Sequence, residues 1–386
     1  MKREHGVLLV LSTALAVVGS VAADRLVGAL AEERDLIFAR FSVVRYETPE
    51  FRVESRINNL GFRDRDFRRE RTGRFRVVAI GDSFTYGWGV AAEESWPKIL
   101  EQRLRARGYD VEVANLGQPG ASPSDYAKIA ARSVPLLKPD LVIIGLLQGD
   151  DLAQTLLQPI STAERLKRIL RSLYPAFIEM ARRAPTDTVE LGGEWQAQAR
   201  ELVAGYTLGE RARFARIDAE IRRRFTAGRL NPALVDLAVR HPDYFLQPLE
   251  LGHPEVRHAV AALATELGRI RRVSERVGAE TIVVSVPLGA YTSRRKLDAY
   301  ARMGFRTTDR MLTTTAMDSA GAAAASRATV PFHQFTRTFR AVAQPGALYF
   351  ELDGHFAPLG SRLYGLSVEP VVAAALERVG ATRDAE

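Results

Sequence analysis

The sequence predicts an α/β protein built on a doubly wound, mainly parallel five-stranded sheet that carries a helical insertion. Three observations lead there. From Phe75 onward, short apolar runs bounded by turn residues alternate with segments of helical periodicity. One of the runs, Leu141–Leu147, is apolar throughout, as expected of a strand covered on both faces. The alternation breaks once, between residues 152 and 275, where the recurring pattern is helical and rich in arginine.

Length and composition set the frame. A chain of 386 residues exceeds a typical single domain, so one core with a large insertion, or two domains, is expected. Hydrophobic residues make up 46% and charged residues 26%, which describes a globular protein rather than a disordered one. Lys plus Arg number 54 against 46 Asp plus Glu, for a net charge of +8. A mildly basic surface favours anionic partners such as phospholipid head groups or acidic glycans. No zinc-finger, RNP or basic-zipper pattern supports nucleic acid as a partner. The chain has no cysteine, which excludes disulfides, thiol catalysis and cysteine-ligated metal.

At the N-terminus, Lys2 and Arg3 precede Gly6–Ala23, a run without charge. It reads either as a cleaved signal peptide, with Val21 and Ala23 before a cut at Asp24, or as an uncleaved signal anchor spanning the membrane. Either reading places the bulk of the chain outside the cytoplasm, because the cations come first. A lead-in follows over residues 24–74, holding Tyr46-Glu47-Thr48-Pro49-Glu50-Phe51 and Asn58-Asn59-Leu60-Gly61-Phe62-Arg63-Asp64. It reads chiefly as a capping hairpin that seals the sheet edge.

The main domain, 75–386, opens with a strand over Phe75–Ile80. A helix over Glu94–Arg107 places Trp96, Ile99, Leu100 and Leu104 on one face. Strands at Val111–Leu116, Leu141–Leu147, Thr281–Pro287 and Thr329–Phe332 follow, with a helix over Tyr126–Leu137. In the insertion, helices are expected over Glu164–Tyr174 and Arg211–Phe225. They serve as a lid over the site, a membrane-surface contact or a plain packed layer. Gly321 with Ala322–Ala325 reads as a helix end or a loop.

Candidate chemistry gathers at strand ends. Val77-Val78-Ala79-Ile80 runs straight into Gly81-Asp82-Ser83, which delivers a serine to the edge of the sheet where ligands bind in open α/β folds. Near the C-terminus, Asp353-Gly354-His355 supplies a histidine with a carboxylate two residues before it. Asn115-Leu116-Gly117-Gln118-Pro119-Gly120 and Gln148-Gly149-Asp150-Asp151 close two further apolar runs. Asp82 itself reads as a turn hydrogen-bonder. Tyr86 and Trp88 read equally as pocket walls or as core. His253 and His258, five apart, would lie about 140° apart on a helix and do not converge as metal ligands. No Gly-x-Ser-x-Gly elbow, Walker loop or dinucleotide fingerprint is present.

Taken in order, these blocks resemble the SGNH hydrolases, also called the GDSL family. Gly81-Asp82-Ser83 matches the first block, Gly117 the second, and Asp353 with His355 the last. The third departs: where the family reads Gly-x-Asn-Asp or Gly-Asn-Asp, this chain reads Gly149-Asp150-Asp151. The lead-in is similar to that of membrane-anchored bacterial members, in which Asn-x-x-Gly-Phe-Arg precedes the serine strand.

The resemblance implies a flavodoxin-like sheet and a triad of Ser83, His355 and Asp353. It also implies an oxyanion hole from Ser83, Gly117 and position 150, with no metal and no cofactor. The implied activity is hydrolysis or transfer of an O-acyl group, in the first instance O-acetyl, on a cell-envelope or exported polysaccharide, alongside other envelope polysaccharide proteins. Two alternatives stay open: a lipid-directed esterase or thioesterase, and a glycan-binding scaffold without turnover. Asp150 keeps the second alternative open, because an ionised aspartate has no donor for the oxyanion. It would have to hold a proton, or Gln148 would have to donate in its place.

Overall fold

The computed structural model describes residues 2–30, 36–68, 70, 73–157 and 189–380. The chain divides into two compact units, residues 1–35 with 158–187 and residues 36–157 with 188–386. In the first unit the described part is helix α1, Lys2–Leu30. Among the described residues no helix is long and apolar enough to cross a membrane. Several side chains in the apolar stretch of α1 lie outside the described ones. The membrane span and signal anchor expected there are therefore not supported.

In the second unit, a five-stranded parallel sheet forms the centre. Its strands are β3 (Phe75–Gly81), β4 (Val111–Gly117), β5 (Leu141–Leu147), β7 (Glu280–Val286) and β8 (Phe332–His333), in the order β4-β3-β5-β7-β8. Every residue of β5 is buried, as its unbroken apolar run requires of a strand packed on both sides. Helix α3 (Trp96–Ala106) packs with the C-terminal helix Pro358–Arg378, and helix α4 (Pro123–Leu137) packs with the helix Pro254–Glu275. These two helical pairs clothe the sheet. The chain runs from β3 outward to β4, then crosses back to β5 on the other side of β3. That reversal makes the carboxyl end of β3 the topological switch point, where α/β sheets open a crevice for ligands. Ser83 follows two residues after β3 ends.

The doubly wound architecture is as the sequence predicts, and the differences lie at edges. The fifth strand sits at Phe332–His333 rather than Thr329–Phe332. Its residues pair with only two of β7, too few to mark a period. The helix expected over Arg211–Phe225 is two, Leu208–Arg216 and Ala219–Thr226, because Asp218 caps the second through its carboxylate on the N–H groups of Glu220 and Ile221. Gly321 lies within the helix Ala316–Arg327 instead of ending it. A Cβ there would meet the Phe332 ring at 2.8 Å, so the glycine serves packing. The helix expected over Glu164–Tyr174 lies outside the described residues.

The lead-in hairpin does not pair with the central sheet, and the lead-in reaches that sheet's edge further on, where Asp64 accepts from the Asn115 N–H of β4 at 3.1 Å. Strands β1 (Val43–Glu47) and β2 (Arg52–Arg56) form an antiparallel hairpin. Together with β6 (Val189–Glu190), at the start of the described insertion, they build a separate three-stranded sheet. Beyond the hairpin, Arg63 is fully buried against the Tyr86 ring and donates to the carbonyls of Tyr86, Gly87 and Val90. The lead-in therefore fastens the segment that follows Ser83.

Candidate active site

A short helix, α2 (Ser83–Tyr86), begins at the nucleophile candidate. Asp82 caps it by accepting from the Phe84 N–H at 2.9 Å, and Gly87 closes it in the left-handed conformation at φ 81°. Ser83 thus occupies the first helical position, where a backbone N–H has no intrahelical acceptor. What lets a helix sit this close to a sheet is a row of three glycines. Gly81 of β3 is in register with Gly117 of β4 on one side and Gly145 of β5 on the other. A Cβ on Gly117 would lie 2.0 Å from the Tyr86 nitrogen, and on Gly81 2.1 Å from the Thr85 hydroxyl. Side chains anywhere along that row would lift the serine off the sheet.

The triad assembles. Ser83 Oγ lies 2.7 Å from His355 Nε2, and His355 Nδ1 lies 2.5 Å from Asp353 Oδ1. The second carboxylate oxygen of Asp353 accepts from the Trp88 indole N–H at 3.2 Å. With both oxygens engaged, the carboxylate has little freedom to turn away from the imidazole. The rings of Phe84 and Trp88 stand 4.8 and 5.9 Å from that of His355. Burial works against a charge on the imidazole, but the Asp353 carboxylate outweighs it, and the His355 pKa is raised. This is the geometry of a histidine that accepts a proton from a serine and keeps it while a carboxylate neutralises the charge.

The oxyanion side differs from expectation. The Gly117 N–H donates to the Asn115 side chain at 3.0 Å, so the donor expected from Gly117 is already committed within the protein. Gln148 cannot substitute for an amide at position 150 either. Its Nε2 lies within hydrogen-bond reach of Ser285 Oγ, Asp318 and Thr336 Oγ1, so both its protons are taken up in a buried network that includes no triad residue. Asp150 heads helix α5 (Asp150–Leu157) and accepts from the Tyr244 hydroxyl at 2.9 Å and from Gln154 Nε2 at 2.5 Å. Both its oxygens are therefore acceptors.

Three aspartates share the floor of this region. Burial, reinforced by Asp150, pushes Asp82 up to about 7. Burial likewise raises Asp150, and it raises Asp151 strongly, with Asp82 adding to the effect. Asp151 is held by the Tyr126 hydroxyl and the Leu147 N–H.

The GDSL-like lipase/acylhydrolase family model matches residues 79–254. That span includes Ser83, Gly117 and Asp150 and stops short of Asp353 and His355, which the fold brings to the serine. An arylesterase of Vibrio mimicus is 31% identical over 77 residues, which amount to 20% of this chain and 38% of that protein. The match spans less than half the length of that curated relative. Among solved structures, a lipase/acylhydrolase from Enterococcus faecalis aligns at TM-score 0.38 and 14% identity, covering 81% of this chain and 100% of the other. A lipolytic protein of the G-D-S-L family from Veillonella parvula aligns at 0.37 and 12%, covering 78% and 98%.

The family model, together with the assembled triad, supports the GDSL-like resemblance read from the motifs. Sequence reasoning missed several residues that shape this GDSL-like site. Gly120, in the turn after β4, has φ 72° with open space where a Cβ would be. Among the described residues its N–H makes no backbone hydrogen bond. The Pro119-Gly120 pair was the available signal, since such a pair marks a turn with a left-handed second residue. Trp88 proves to be a partner of the triad carboxylate as well as core. Tyr244, far along the insertion, carried no signal at all.

Proposed function

We propose that this protein is a serine esterase that removes or transfers an O-acyl group, in the first instance acetyl, on an exported or cell-envelope polysaccharide. The observation that carries the esterase part is the continuous Ser83–His355–Asp353 relay, at 2.7 and 2.5 Å. Ser83 Oγ attacks the ester carbonyl while His355 Nε2 takes its proton. The negative charge on the carbonyl oxygen is met by the Ser83 N–H and, in place of Gly117, by the Gly120 N–H. His355 then returns the proton to the leaving alcohol, and Asp353 stabilises the imidazolium throughout. Water or a sugar hydroxyl, activated by the same histidine, releases the acyl group.

The polysaccharide part rests on other observations. Lys2 and Arg3 ahead of the uncharged Gly6–Ala23 support export, and the excess of arginine and lysine suits an anionic glycan. Turnover of a small acetyl ester tests the chemistry: Ser83→Ala and His355→Ala should each lower it by several powers of ten. Neither should change stability by more than about 1 kcal/mol. Near-native turnover in either variant would refute the triad.

A further inference from the structure

The loop Phe350–Asp353, which carries the triad carboxylate, is gripped from two sides by opposite charges, neither of which is in the triad. On one side is Lys296, in the helix Arg294–Arg302. Its residue is 1% exposed, and its ammonium donates to the carbonyls of Phe350 and, at 3.0 Å, Glu351. On the other side is Glu50, at the turn of the β1–β2 hairpin. Its two carboxylate oxygens accept from the N–H groups of Leu352 at 2.8 Å and Asp353 at 2.9 Å. Three consecutive peptide groups are thus fixed: 350–351 by its oxygen, 351–352 by both its oxygen and its nitrogen, and 352–353 by its nitrogen.

Glu50 is itself held in place. The Thr48 hydroxyl accepts from the N–H groups of Glu50 and Phe51, which closes the hairpin turn, and the Phe51 ring packs 4.9 Å from that of Phe350. Past the clamp, Gly354 turns at φ 82°, and the Phe350 N–H donates to the His355 carbonyl at 2.9 Å. A displacement of the gripped segment is therefore passed directly to the histidine. Burial pulls the Lys296 ammonium down to about 8, and Glu50 works against that. Arg224 and Arg229 of the insertion line the recess beside Glu50 and Asp353.

We infer that Glu50, with Lys296 opposite, is a positioning residue for the acid–base half of the triad. The lead-in hairpin then belongs to the catalytic apparatus through its hold on the loop that carries Asp353. A 1 Å error in the His355–Asp353 frame is enough to cost a large part of the rate, whereas the binding of a small ester depends little on it.

This inference rests on the esterase reading, so its test has one readout that needs turnover and one that does not. In the full chain, Glu50→Gln puts an amide N–H against one of the two loop N–H groups. It should lower kcat on p-nitrophenyl acetate about tenfold or more while KM stays within about twofold. It should also move the His355 titration midpoint, followed by ring NMR, to lower pH, because the Asp353 partner is less well held. Glu50→Asp keeps the charge but falls short of both amides, and should lose part of the rate and part of the midpoint shift. Glu47→Gln, on the same hairpin and away from the loop, should match wild type in both. Wild-type kcat and midpoint in Glu50→Gln would overturn the clamp. A wild-type Glu50→Asp, or an equal effect of Glu47→Gln, would overturn it too, by assigning the effect to charge at a distance. If the wild-type protein turned over no ester, the esterase reading would fall, and the His355 midpoint would still decide the clamp.

Discussion

Asp82 and His355 give the site its dependence on pH, and in opposite senses for stability and rate. Asp82 keeps its proton in the folded protein up to about 7, well above the ordinary carboxylate value of 3.8, because it is buried beside Asp150. Across that window the unfolded chain has already lost the proton, so stability is highest at the acid end and declines as pH rises toward 7. Above the folded value it is level. Asp82→Asn keeps the cap on the Phe84 N–H and should flatten that slope in thermal melts recorded from pH 4 to 8. His355 must be neutral to act as base, so ester turnover should climb with pH through a midpoint above the ordinary 6.5. At position 150 the resemblance places an amide, and this chain has a carboxylate whose two oxygens both accept hydrogen bonds. Supplying the missing donor with Asp150→Asn should raise turnover of a small ester about tenfold or more. An unchanged or lower rate would show that position 150 plays no part in charge stabilisation.

Among elements, the row Gly117–Gly81–Gly145 explains why the serine can be delivered at all. Three glycines on neighbouring strands lie in register beneath one four-residue helix. Gly117→Ala would force a methyl group to within 2.0 Å of the Tyr86 nitrogen, in backbone that cannot swing aside. It should destabilise the fold by about 1 to 3 kcal/mol in denaturant unfolding and cut turnover with it. Gly120→Ala meets open space, so its cost is limited to about 1 kcal/mol for the left-handed conformation. Equal losses for the two would contradict the packing role of the row.

These elements also show what a sequence discloses. The strand β5 and the run into Ser83 were legible because burial on both faces leaves an unbroken apolar signature. Asp353 and His355 were legible because a carboxylate two residues before a histidine is rare in a chain with few histidines. Glu50 and Tyr244 were not. Each acts across a long sequence separation on a partner that only the fold brings near, and nothing local distinguishes either from a solvated side chain. Gly117 shows the reverse: its position was clear, but the acceptor its N–H finds, the Asn115 side chain, sits two residues away and is seen only in three dimensions.

For the molecule as a whole, the site draws on most of the second unit. The serine comes from the start of α2, just after β3, the histidine and its carboxylate from a loop just before the last helix, an arginine and a glutamate from the lead-in, and a tyrosine from the insertion. An imidazole aimed at a serine, with a carboxylate aimed at the imidazole, is the arrangement that turnover requires and that glycan binding alone does not. The most direct test of this central claim is treatment of the full chain with a serine-reactive phosphonate, followed by peptide mass mapping. A single adduct on Ser83, formed in step with loss of ester turnover and absent from Ser83→Ala, is the result expected of a working triad. An unmodified Ser83, or equal labelling of the Ser83→Ala chain at another residue, would contradict it.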